Sequence, residues 1–92
     1  MKNINVLQMP GFKRSYKRLH PNQKIIVNRA INSLVDDPTV GDSKKGDLAG
    51  VSVYKFDCIN QQFLLAYTFD ARSRTLIALG VHENFYRDLK KY

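Results

Sequence analysis

"YKFDCINQQFLLAYTFDARSRTLIALGVHENFYRDLKKY", residues Tyr54 to Tyr92, is the stretch whose reading decides the fold. At its centre FLLAYTF (Phe63 to Phe69) is a continuous apolar run without Pro or Gly, the pattern of a central strand covered on both faces. NQQ before it predicts a hairpin connection, DARSR after it a second turn, and TLIALGV (Thr75 to Val81) another strand. The period then changes, because Phe85 and Leu89 stand four residues apart, which predicts a terminal helix over 82–91. His82 falls at this joint, and Tyr86, four residues on, falls on the same side of the helix. A helix start carries unpaired backbone N–H groups and partial positive charge, so it can hold a phosphate. An imidazole with a pKa near the ordinary ~6.5 suits proton transfer there. His82, Tyr86 and the strand lysine Lys55 are therefore the candidate catalytic residues.

Upstream, LAGVSVYKF alternates, with Val51, Val53 and Lys55 on one side and Ser52, Tyr54 and Phe56 on the other. Before it TVGDSKKGD (Thr39 to Asp47), rich in Gly and charge, reads as a loop. HPNQKIIVNRAINSLVDDP predicts a helix opened by Pro21 and stopped by Pro38, with Val27, Ala30, Ile31 and Leu34 as its buried stripe. FKRSYKRL predicts a shorter helix with Phe12, Tyr16 and Leu19 on one face and Lys13, Arg14, Lys17 and Arg18 on the other. INVLQ (Ile4 to Gln8) alternates as a strand, and Met9-Pro10-Gly11 breaks it. His20 reads as a turn residue between two antiparallel helices. The fold class is α+β, in the order β-α-α-β-β-β-α. A small antiparallel-dominated sheet carries the helical hairpin on one face and leaves the other partly open as a place for a site.

Ninety-two residues predict one domain over 1–92. No apolar run reaches the roughly 18 residues of a membrane span, and the first residues lack a signal-peptide core, so neither a membrane nor a secreted setting is expected. The single cysteine, Cys58, cannot form an internal disulfide, which suits the cytoplasm, and it has no ligand spacing, so it reads as a plain strand residue. The net charge of +7 is unevenly placed. Residues 1–35 hold seven Lys/Arg and no Asp or Glu, whereas residues 36–92 hold eight of each sign. The asymmetry points to an anionic partner, either nucleic acid or an acidic protein, with Lys13, Arg14, Lys17 and Arg18 as candidate nucleic-acid contacts; Arg72 and Arg74, outside the basic third, are candidates as a source of positive charge for phosphate.

Taken in order, FKRSYKRL, a longer helix ending in DDP, KKGDLAGVSVYKF, FLLAY and IALGVHENFYRDLKK resemble the RelE/ParE superfamily of toxins from bacterial type II toxin–antitoxin systems. The resemblance covers nearly the whole chain. It implies a cognate antitoxin as partner and no metal or other cofactor. It also implies one of two activities. RelE-like members cleave mRNA in the ribosomal A site, and ParE-like members block DNA gyrase without hydrolytic chemistry of their own. The expected activity is ribosome-dependent mRNA cleavage, with gyrase inhibition as the alternative. By this resemblance Lys55 matches a strand lysine of RelE, while Asp57 and Leu64 stand where RelE carries basic groups. His82 and Tyr86 match the histidine and later aromatic of histidine-bearing relatives such as YafQ.

Overall fold

A computed structural model describes residues 3–81 of the chain. The predicted helix over 82–91, with His82 and Tyr86, lies outside the described residues. Within them the order is β1 (Asn5–Gln8), α1 (Pro10–Lys17), α2 (Pro21–Asp36), β2 (Asp42–Ser43), β3 (Ser52–Cys58), β4 (Gln61–Phe69) and β5 (Ser73–Val81). One-turn 3₁₀ helices at Pro38–Val40 and Gly46–Leu48 flank β2. The five strands form one sheet in the order β1-β5-β4-β3-β2. β5, β4, β3 and β2 pair antiparallel, and β1 joins the edge beside β5 in parallel. The expected class therefore holds, and the first strand takes the edge position.

Local sequence explains each element. Pro10 and Pro21 open α1 and α2 at a position where a missing N–H costs nothing. His20 is the N-cap residue of α2, and its backbone N–H donates to Gln23 Oε1 at 2.8 Å. Phe12 of α1 and Val27, Ala30 and Leu34 of α2 are buried against the sheet. Phe12, Val27 and Leu34 meet Cys58, Phe63, Leu65, Tyr67, Leu76 and Leu79. Burying a side chain of the Leu or Phe class contributes about 1.5–3 kcal/mol, so this layer dominates the stability of the helical side.

Two expectations need correction. The segment from Thr39 to Asp47 is not all loop, because Asp42 and Ser43 pair with Val53 and Ser52 as the two-residue edge strand β2. The second sheet face is not open at its centre either. Val51, Val53, Leu64, Ala66 and Ile77 are buried there, with Met9, Leu48 and Ala78 packed against them. Apolar residues occupy both faces of β4, and both are excluded from water.

Two features fix the frame. Between β4 and β5 the register slips after Ala66, so Ile77 is an extra residue on β5 and the side-chain alternation changes phase across it. At the centre, the Tyr67 hydroxyl donates to the Pro38 carbonyl at 2.6 Å and accepts from the Gly41 N–H at 3.0 Å. That pair ties the α2–β2 connection to the middle of the sheet. A Cβ on Gly41 would stand 2.6 Å from the Tyr67 hydroxyl oxygen, so the approach requires glycine.

Candidate functional site

The second sheet face keeps exposed polar side chains at one end, where β3 and β4 are joined by Ile59-Asn60. Lys55 of β3 points there and is exposed. Its register row runs from Lys55 to Leu64 on β4 and Gly80 on β5. Two strand spacings of roughly 4.8 Å put Lys55 about 10 Å from Gly80, which precedes His82 by two residues in sequence. One residue pair further along, Asp57 faces Gln62, and both are exposed. Lys55 makes no ion pair within the described residues.

A second polar surface lies on the helices. Lys13, Arg14, Lys17 and Arg18 are all exposed, as the spacing predicts, while Phe12 is buried and Tyr16 half-buried beneath them. Phe12 and Tyr16 stack at 5.9 Å between ring centroids, and the Tyr16 hydroxyl donates to Asn28 Oδ1 of α2 at 2.8 Å. Lys24 of α2 places its Nζ 5.5 Å from the centre of the Tyr16 ring. This fifth cation beside the α1 face escapes a helix-by-helix reading, because only the packing of α2 on α1 brings it there.

Arg72 and Arg74 separate. Arg72 is exposed in the β4–β5 turn, where its backbone N–H and that of Ser73 donate to Asp70 Oδ1, each at 2.8 Å. Those bonds hold the Asp70 carboxyl below the usual carboxylate range. Arg74 is 5 % exposed. Its Nε–H donates to Leu34 O and its Nη2 to Val35 O, each at 3.0 Å, while Nη1 donates to Asp70 O at 2.8 Å and Ser73 O at 3.0 Å. The nucleic-acid role expected of Arg74 does not fit this placement, since its donors are turned inward onto the end of α2. Beside it, Asn3, Ile4, Val35, Asp36, Pro38, Phe69, Asp70 and Ala71 line an open cavity of about 970 Å³. Two exposed carboxylates on its wall, Asp36 and Asp70, make it a poor seat for phosphate.

Cys58 is buried, with Sγ 4.0 Å from the Gln23 carbonyl oxygen, and burial pushes its thiol up, away from the reactive thiolate. Burial likewise pushes the Tyr67 phenol up, so it stays a hydroxyl donor. The Thr39 hydroxyl and N–H lower the Asp37 carboxyl. Among the described residues no three His, Cys, Asp or Glu side chains are grouped to hold a metal ion, and no helix is long and apolar enough to cross a membrane.

The family model for the ParE-like toxin of type II bacterial toxin–antitoxin systems matches residues 6–90. The chain belongs to that toxin family. No curated protein matches it significantly. Among solved structures, the toxin–antitoxin complex RelBE2 of Mycobacterium tuberculosis is similar at TM-score 0.72 and 19% identity, over 87% of this chain and 99% of that one. The intact RelBE toxin–antitoxin complex of E. coli is similar at TM-score 0.68 and 13% identity, over 87% of this chain and 98% of that one. The YoeB/ParE toxin of Agrobacterium tumefaciens is similar at TM-score 0.67 and 16% identity, over 86% and 99%. At such identities these likenesses concern the fold. The toxin thus shares a fold with both RelE-type and YoeB/ParE-type chains, and its own side chains must carry any argument about chemistry.

Proposed function

We propose that this toxin arrests growth by cleaving mRNA on translating ribosomes, and that an antitoxin neutralises it. The observation that carries the reading is Lys55, an exposed cation without an ion pair among the described residues, on the register row that ends at Gly80, two residues before His82. In such a reaction the ribose 2′-oxygen attacks the adjacent phosphorus and the bond to the 5′-oxygen breaks, leaving a 2′,3′-cyclic phosphate and a 5′-hydroxyl. The 2′-hydroxyl proton needs a base, the departing oxygen needs an acid, and the phosphoryl oxygens need positive charge. The His82 imidazole suits either proton transfer, the Tyr86 phenol can donate a proton or stack on a base, and the Lys55 ammonium offsets the developing charge. These roles for His82 and Tyr86 rest on sequence.

The exposed Lys13, Arg14, Lys17 and Arg18, joined by Lys24, form the docking face for ribosomal RNA in this reading. Arg72 is a further phosphate contact, and Arg74 is not one. The second reading, blockade of DNA gyrase, is the alternative that the resemblance to ParE-like members implies. One experiment separates the two. Purified toxin is incubated with translating ribosomes and, separately, with gyrase and relaxed plasmid. The mRNA reading expects cut message and normal supercoiling, with His82→Ala losing roughly 10²–10⁴ in cleavage rate. Intact message with arrested supercoiling overturns it in favour of gyrase.

A further inference from the structure

Asp57 and Gln62 stand directly opposite each other on β3 and β4, on the same sheet face as Lys55, and both are exposed. They form the row just beyond Phe63–Val81, the last pair between β4 and β5 among the described residues. Cross-strand neighbours have Cβ atoms about 5 Å apart, so the two side chains stand together at the width of one nucleobase edge. Along β3, Lys55 is two residues back, at roughly 3.4 Å per residue. A phosphate held at Lys55 would leave a neighbouring base within reach of the Asp57–Gln62 row. Neither side chain is committed elsewhere, since no hydrogen bond or ion pair engages either within the described residues.

A carboxylate beside a phosphate-holding lysine is unfavourable for phosphate itself, so Asp57 needs a different partner on that face. Ionised, it is an acceptor only, with two oxygens side by side. Among the four RNA bases, only guanine offers two adjacent donors on its pairing edge, N1–H and the N2 amino group. Adenine and cytosine set a donor beside an acceptor, and uracil flanks its N3–H with two carbonyls. The Gln62 amide can add a donor to guanine O6 or widen the contact. Single-stranded RNA is commonly read by hydrogen bonds to such edges.

Resting on the mRNA-cleavage reading, we infer that Asp57 and Gln62 are specificity residues that select guanine next to the scissile phosphate. The test uses the whole toxin on translating ribosomes programmed with messages randomised around the cut, and reads the base profile of the 5′ ends produced. Wild type is expected to prefer guanine at one fixed position by roughly five- to a hundredfold, the range of a good bidentate base contact. Asp57→Asn, which sets a donor beside an acceptor, should reduce that preference to less than about threefold and shift it toward adenine or cytosine. Gln62→Ala should weaken it in part, and it keeps the test standing if Asp57→Asn does not fold. Ribosome-dependent cleavage with an unchanged profile in the folded variants overturns this inference alone. The absence of cleavage by folded wild-type toxin overturns the functional reading as well.

Discussion

Replacing Arg74 with alanine is a test of what that residue does. Its guanidinium is bonded to the carbonyls of Leu34, Val35, Asp70 and Ser73. The four losses are unequal. Ser73 O keeps the Asp70 N–H as a second donor, and the Asp70 carbonyl sits in an exposed turn that water can reach. Leu34 is fully buried and Val35 half-buried, and both lie in the last turn of α2, where carbonyls lack helical partners. Leaving a buried acceptor unpaired costs about 1–3 kcal/mol, and the vacated guanidinium volume adds to that. The expected loss is therefore about 3–4 kcal/mol, a large share of the roughly 5–15 kcal/mol that holds a domain together. For a chain of this length it corresponds to a fall in melting temperature of about 15–25 °C. Arg74→Lys should fall between, since one ammonium cannot span the helix end and the turn. Arg72→Ala, at an exposed site, should stay within about 0.5 kcal/mol of wild type. Urea unfolding followed by circular dichroism gives all three values. If Arg74→Ala melts within a few degrees of wild type yet loses target binding as Arg72→Ala does, the clamp reasoning fails.

Two other substitutions probe the frame. Tyr67→Phe removes the hydroxyl that serves the Pro38 carbonyl and the Gly41 N–H, and denaturant unfolding should show a loss of about 1–3 kcal/mol. Gly41→Ala should be destabilising in wild type and less so in the Tyr67→Phe background, where the atom it meets at 2.6 Å is gone, and a purely additive double mutant would count against that contact. Ile59 and Asn60 form the two-residue β3–β4 turn at φ 50° and 65°, a conformation that favours glycine or asparagine and is costly for a β-branched residue. Ile59→Asn should therefore raise stability by about 1 kcal/mol in thermal melts, and an unchanged or lower melting temperature would show that the isoleucine is not strained there.

The central strand, the two helices and their order were legible because each is encoded locally. Phe63 to Tyr67 at the head of FLLAYTF are apolar without interruption and all five are buried, and Phe12/Tyr16 and Val27/Ala30/Leu34 keep helical spacing. What escaped depends on contacts between elements. Asp42 and Ser43 are a strand only because β3 offers them an edge, and neither residue type favours extended pairing by itself. Arg74 is an instructive case. In an unbroken strand, alternation counted back from Leu79 on the helix side would turn residue 74 to the opposite face. The extra residue Ile77 reverses the phase, so Arg74 falls in line with Leu76 and points at α2.

The same logic relocates the candidate site. Covering by helices was expected on one face only, yet Val51 and Val53 on β3 and Leu64 and Ala66 on β4 are apolar on the other face as well, and they are buried. With the centre of that face closed to solvent, its exposed polar side chains include Lys55, Asp57 and Gln62 at the end where the described part of β5 stops at Val81. His82 follows Val81 directly in sequence, so the histidine of the proposed function is the next residue after the strand end on this side.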